Sequence, residues 1–390
     1  MSSFGENKSD MKIPDEEFHT RVKNVQNKMK EENIDLVILA GDEHYQGHVR
    51  YVSDYRPMLE FAMVLVGRDD NPLLLCGPEC KTLAYQTSRI KDIRVCSDVA
   101  IPGEEYPNEQ MFTLKEILGE LENGTKIEKV GVVNLNVIPE FMIGAIREVC
   151  RGREIFNASR ILDELRGVKS KNEIRIMKRA YEMGQTGLRS GLKALKIGKG
   201  ETEILAEMSY PIYKMGAEQM SHCFYAASGK GSSPALYFSR SSKRVDDGDI
   251  VILDIGAVYY GYFSDIATSR IVGKKSREKQ RVLDTVRKAL DTATRKVRPG
   301  AVGKEIDLAA REITSAAGYE KNHLYGAVHG VGLQHCEYPF FGPTSEERVE
   351  EGMFFNIDIG LFNFDFGGVR LENGYRVTSS GCEVFAVEHE

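Results

Sequence analysis

Three apolar runs in the second half of this chain each carry a carboxylate. Asp254 interrupts Val251-Ile252-Leu253-Asp254-Ile255, Asp358 lies within Phe354-Phe355-Asn356-Ile357-Asp358-Ile359, and Glu372 lies in Gly367-Gly368-Val369-Arg370-Leu371-Glu372. Runs of this length and composition, closed by glycine, read as buried strands. An ionised carboxylate on such a strand is costly to bury without a partner. Any fold open to this chain must therefore supply a turn to cap, an arginine, or a cation held between acids that otherwise repel one another. Asp265 adds to the requirement. It follows Tyr262-Phe263-Ser264 after a turn near Gly261, so a hairpin brings it beside Asp254. Between these segments lies Val328-His329-Gly330-Val331-Gly332-Leu333-Gln334-His335-Cys336-Glu337-Tyr338-Pro339. Its glycines let the backbone approach a site closely, with His329 at the mouth. A histidine in a glycine-rich loop also has a purely structural use, and both readings stand at this point.

The rest of the chain says what kind of molecule holds these groups. Its 390 residues are 42% hydrophobic, enough for two domains with sizeable cores. Lys and Arg number 52 against 58 Asp and Glu, a net charge of −6, so no basic field exists to hold nucleic acid. With a mean hydropathy of −0.33 and no long apolar run, no membrane span is expected. Residues 1–12 are polar and mixed in charge, unlike a secretory signal. The seven cysteines show neither CxxC nor Cys/His zinc spacing, so reduced thiols in a cytoplasmic protein are expected.

Up to about residue 165 the chain alternates strands and helices. Helices are expected at 18–32, 111–122 and 139–151, and strands at 35–40, 61–66, 72–76 and 129–133, an α/β layer structure. A seam falls within 157–171. A long amphipathic helix over 170–195 follows, with Glu173 and Lys178 among its polar positions, and then a helix from 201 that Pro211 stops or kinks. Beyond residue 249 the texture is β-rich. Strands are expected at 250–257, 259–263, 353–359 and 381–387, with helices at 274–298 and 303–318, an α+β domain with a largely antiparallel sheet.

These residues match a family. DIGAxxxGYxSD, HGVGL with a following EYP, the strand of Asp358 and VRLEN with its VTSSGCEVF ending resemble the "pita-bread" metallopeptidases: methionine aminopeptidase, Xaa-Pro aminopeptidase, prolidase and their relative creatinase. The stretch DLVILAGDEHYQGHVRYVSDY is similar to the accessory domain of the prolidase and creatinase branch. The resemblance implies a creatinase/prolidase-type N-terminal domain over 1–165 and a pita-bread catalytic domain over 166–390. It places five metal ligands on Asp254, Asp265, His329, Asp358 and Glu372. Four carboxylates and one imidazole suit two divalent ions such as Mn²⁺, Co²⁺, Zn²⁺ or Fe²⁺. Two ions sharing a water make a hydroxide available at neutral pH, which attacks an amide carbonyl, and the resemblance gives Asp358 the water's proton.

Three positions depart from the pattern. Asp358 stands where the aminopeptidases have glutamate, a reach shorter by about 1.5 Å. Tyr237 stands 17 residues before Asp254 and Cys336 seven after His329, where the peptidases carry histidines. Tyr237, His222 and His335 are the residues available to replace them, and Glu337, Arg370 and Cys336 match positions that line the substrate pocket. The expected activity is an Xaa-Pro dipeptidase- or aminopeptidase-like hydrolase of small peptides, working as a homodimer. The alternatives are an enzyme of the same fold on a small non-peptide substrate, as in creatinase, ectoine hydrolase or dimethylsulfoniopropionate lyase, and a non-catalytic binding module.

Overall fold

A computed structural model describes residues 11–122 and 126–385. Ile13–Arg166 form one compact unit, and the chain from Gly167 onward forms a second.

In the first unit a six-stranded sheet runs in the order β4-β3-β2-β1-β5-β6, from β1 (Leu36–Gly41), β2 (Ala62–Gly67), β3 (Leu73–Cys76), β4 (Asp92–Val95), β5 (Lys129–Val133) and β6 (Glu154–Asn157). The central strands are apolar on both faces. Leu36, Ile38 and Ala40 of β1 pack with Ile117, Met142 and Ile146 of the helices, while Val37 and Leu39 are equally buried on the opposite face. Each such side chain removed from water contributes roughly 1.5–3 kcal/mol, which is why these strands read as continuous apolar runs. The helices are α1 (Asp15–Glu31), α2 (Gly47–Ser53), α3 (Lys81–Thr87), α4 (Leu114–Leu121), α5 (Glu140–Val149) and α6 (Ser159–Gly167).

The second unit opens with α7 (Lys171–Ala194) and α8 (Glu201–Lys214). Its strands are β7 (Gln219–Met220), β8 (Tyr225–Ser228), β9 (Ile250–Ile255), β10 (Ala257–Tyr259), β11 (Tyr262–Phe263), β12 (Ile266–Ile271), β13 (Val328–Gly330), β14 (Glu337–Phe341), β15 (Phe354–Phe364), β16 (Gly367–Val377) and β17 (Cys382–Phe385). Eight of them make one sheet in the order β14-β13-β15-β16-β12-β9-β8, with β17 added on β16, and every pairing in it is antiparallel. β11, β10 and β7 form a smaller sheet. Helices α9 (Arg277–Thr294) and α10 (Gly303–Ala316) cover one face of the large sheet. Val282, Val286 and Leu290 of α9 join Ile357, Ile359, Leu361, Val369 and Leu371 of the two long strands in one core. Side chains alternate along a strand, so Asp358, Arg370 and Glu372 stand on the face away from α9. One registration of β15 against β16 pairs Asp358 with Glu372 and Gly360 with Arg370.

Local rules fail at a few places. α8 runs through Pro211 to Lys214, because a proline near the end of a helix removes only one backbone bond while Met208 and Ile212 remain fully buried. The strand expected over 259–263 is split by the turn expected near Gly261: Tyr260 and Gly261 have φ of 44° and 79° between the short β10 and β11. His329 lies on a strand rather than in a loop. Glu173 is buried at 4% exposure. It closes a capping box with Ser170 and accepts the Tyr262 hydroxyl at 2.9 Å. The strand expected to 387 ends among the described residues at Phe385, and residues 386–387 lie outside them.

Candidate metal centre

The local chain path that sets Asp254 beside Asp265 depends on one residue without a side chain. A Cβ on Gly256 would lie 1.7 Å from the Ser264 carbonyl oxygen. That close approach lets the Ser264 hydroxyl bond the Ala180 carbonyl at 2.9 Å and receive the Ala257 amide at 3.0 Å. His329 on β13 and Glu372 on β16 reach the same place from other strands of the same sheet. Three of the expected ligands, Asp265, His329 and Glu372, present donor atoms all within 4.8 Å of one another. His329 Nε2 is 3.1 Å from Glu372 Oε1 and 4.0 Å from Asp265 Oδ2. Asn356 steadies the group: its amide donates to Glu372 Oε1 at 2.8 Å and to the Asp265 carbonyl at 2.7 Å, and Tyr181 donates to its side-chain oxygen.

Asp254 and Asp358 face a fixed cation. The Arg370 guanidinium, in a residue 5% exposed, lies 2.6 Å from Asp254 Oδ2 and 3.3 Å from Asp358 Oδ1. It also donates to the Tyr225 hydroxyl at 2.8 Å, the Tyr325 hydroxyl at 3.0 Å and the Ala235 carbonyl at 3.1 Å. Tyr325 in turn donates to Asp358 Oδ1 at 3.0 Å.

Electrostatics follow from this packing. Burial pushes Asp254 up to about 7, against the pull of Arg370, with Glu372 and Asp358 adding to the rise. Burial likewise lifts Asp358 to about 6 despite Arg370. Asp265 is raised by burial and by the charges of Glu372 and Asp254. Glu372 goes the other way: burial is outweighed by His329, Arg370 and Asn356, which hold it at about 2. His329 is favoured as the cation, since Cys336 and Glu372 overcome its burial. His335 is pushed down to about 3 by burial and by the charge of His329. Crowded acids that resist ionisation mark a place that gains from a further cation. Asp254 Oδ1 and Asp265 Oδ1 are buried with no hydrogen-bond partner among the described residues. Oxygen-rich donors with free lone pairs fit a divalent ion.

The remaining expected residues divide. His335 enters the centre, its Nε2 3.2 Å from Asp265 Oδ2 and its side chain 11% exposed, whereas its neighbour Cys336 is exposed. His222 packs edge-on to Phe263, with its ring 6.2 Å from that of His335. Tyr237 donates its hydroxyl to Glu201 at 3.0 Å, a buried acid that also receives Ser228 and the Arg240 amide. Glu337 pairs with Lys169 at 2.9 Å, both side chains almost wholly buried, and receives the Gln334 amide at 3.1 Å. Sequence reasoning missed Asn356, Tyr325, Tyr225, Lys169 and Glu201. Asn356 had a visible signal, standing two residues before Asp358 and so on the same strand face. The others come from distant segments.

With this geometry in hand, the chain's relatives are informative. Residues 175–379 match metallopeptidase family M24, and residues 21–168 match the creatinase/prolidase N-terminal domain. The chain is 30% identical to an Xaa-Pro dipeptidase of Pyrococcus furiosus, over 69% of this chain and 75% of that one. It is 27% identical to an Xaa-Pro dipeptidase of Pyrococcus horikoshii over 94% and 96% of the two chains. The crystal structure of a prolidase from Pyrococcus horikoshii superposes with a TM-score of 0.82 at 26% identity, covering 95% of this chain and 99% of the other. No described helix is long and apolar enough to cross a membrane. The family's chemistry requires a divalent metal, and the centre described above has the donors for one. The chain belongs to metallopeptidase family M24, on its prolidase and creatinase branch, and is a metal-dependent peptidase.

Proposed function

We propose that the chain hydrolyses the amide bond of short Xaa-Pro peptides, as an Xaa-Pro dipeptidase or aminopeptidase. One observation carries the reading: Asp265, His329 and Glu372 converge within 4.8 Å, Asp358 is paired with Glu372 across two strands, and Asp254 and Asp358 share the Arg370 guanidinium, all at positions implied by the family pattern. Divalent ions bound here supply Lewis acidity toward a water and a carbonyl oxygen. Asp265, His329 and Glu372 are suited to hold one ion. The unpaired oxygens Asp254 Oδ1 and Asp265 Oδ1 support a second, which makes two in all. Asp358 is the proton acceptor in this reading. Its carboxyl, raised to about 6, is close to the working pH of a general base, and Tyr325 and Arg370 hold Oδ1 so that the group cannot swing away. The chain works in this reading as a homodimer, measurable by sedimentation, in a cytoplasmic setting that seven free thiols suit.

The test is a purified chain loaded with Mn²⁺, Co²⁺ or Zn²⁺ and offered a panel of Xaa-Pro dipeptides and tripeptides. Cleavage that Asp265→Asn abolishes is the expected result. A metal-replete chain that cleaves no member of the panel overturns the reading. It would favour the second one, a non-peptide small substrate, which has its own motive: Tyr237 is bonded to Glu201, and cysteine stands at position 336, so neither replaces the missing pocket histidine directly.

A further inference from the structure

Asp265 is approached by imidazole nitrogens from two sides. On one side His329 Nε2 stands 4.0 Å from Oδ2 and 3.1 Å from Glu372 Oε1; on the other, His335 Nε2 stands 3.2 Å from the same Oδ2. Two ligand atoms each about 2.0–2.2 Å from one ion, at octahedral to tetrahedral angles, lie about 2.9–3.5 Å apart. Both nitrogen–oxygen separations at 3.1 and 3.2 Å therefore have the length of a coordination edge. Among the described residues, His335 Nδ1 is buried without a hydrogen-bond partner. Its ring lies between those of His222 and His329, 6.2 Å from each, with Phe263 at 6.4 Å, so packing on three sides fixes its orientation. A hydrogen bond from His335 to Asp265 Oδ2 would leave Oδ1 of the same carboxylate buried and unpartnered, whereas an ion held on Asp265 satisfies both groups.

We propose that His335 is an additional nitrogen ligand of the metal centre, bound through Nε2 to the ion that Asp265 holds. The proposal rests on the reading of this cluster as a metal centre and adds to it a metal preference. A second imidazole beside carboxylates moves the donor set away from the oxygen-rich type that suits Mn²⁺ and toward Zn²⁺, Co²⁺ and Ni²⁺.

The experiment is competition of metal-free protein with a chromophoric chelator for Zn²⁺ and, separately, for Mn²⁺. His335→Ala is expected to weaken Zn²⁺ binding about 10–100-fold, the range lost when support of a metal site is removed, and Mn²⁺ binding far less. His335→Gln keeps an N–H donor for Asp265 but is a poor ligand, so it is expected to behave like the alanine variant. Pulsed EPR of the Cu²⁺-loaded wild-type chain counts coordinated imidazoles without any substitution, and two are expected. One imidazole, or a glutamine variant with wild-type Zn²⁺ affinity, overturns the proposal and leaves His335 as a hydrogen-bond donor to Asp265. A wild-type chain that competes for neither ion would instead remove the metal-centre reading itself.

Discussion

Replacing Arg370 by methionine tests the charge logic of the centre. Among the described residues, the guanidinium is the fixed cation shared by Asp254 and Asp358, at 2.6 and 3.3 Å, and its remaining donors go to Tyr225, Tyr325 and Ala235. Methionine fills much of the volume and none of the charge. Removing one partner of a buried ion pair costs about 3–5 kcal/mol, because the other partner is left uncompensated. For a unit running from Gly167 to the end of the chain, that lowers Tm by about 6–20 °C. The cost should vary with conditions. Asp254 and Asp358 already sit at about 7 and 6 with the arginine present, so without it they take up protons more readily still. At pH 5 both are then neutral and the loss shrinks toward its packing part; at pH 8 the full loss appears. A bound divalent ion also restores a counter-charge, so the loss is expected to be smaller in Zn²⁺ than in EDTA. The assay is thermal unfolding of wild type and Arg370→Met, at pH 5 and 8, with and without metal. A Tm loss equal in all four conditions would refute the reasoning, showing that Arg370 matters through packing rather than charge.

Two further expectations follow from the same geometry. In the metal-free wild type, Asp254 and Asp358 bind protons in the folded chain at pH values where the unfolded chain, near 3.8, has released them. Stability therefore falls as pH rises from about 4 to 7, by about 2–4 kcal/mol for Asp254 alone. Glu372, held at about 2, contributes in the opposite sense and is lost only as pH falls below its unfolded value. Denaturant midpoints in EDTA across pH 4–8 check this, and a midpoint that rises over that interval refutes it. Gly256→Ala places a Cβ 1.7 Å from the Ser264 carbonyl and must force apart the turn that joins Asp254 to Asp265. A destabilisation above about 3 kcal/mol is expected, with metal affinity lost in parallel, measured by urea unfolding and metal titration; a variant with wild-type midpoint and affinity would show that the approach relaxes freely.

Much of the centre was legible in the chain because the physics that makes it conspicuous is local. A carboxylate in an apolar strand is costly wherever the strand lies, so Asp254, Asp358 and Glu372 announced themselves before any partner was known. The antiparallel, α-covered nature of the second unit was legible for a similar reason: alternation along a strand leaves its period in the sequence. The α7 boundary was as clear, since Ser170 and Glu173 form a capping box. Local rules were less reliable where distant contacts compete with them. Pro211 does not end α8 because packing of Met208 and Ile212 outweighs one lost backbone bond. Glu173 is buried rather than exposed because Tyr262 meets it from β11.

Four acids and a histidine, in a pattern that asks for cations and all in the second of two regions of different texture, can be read from the order of residues alone. How that demand is met depends on the folded chain. The register that sets Gly360 opposite Arg370 and Asp358 opposite Glu372 puts a guanidinium next to two of the acids, and no spacing in the chain records that register. Counting along the chain pointed to position 336, whereas the loop's path turns His335 toward Asp265 and leaves Cys336 exposed. Residues 335 and 336 lie in a bend before β14, so which of the two neighbours reaches the site is settled by the backbone's path through space.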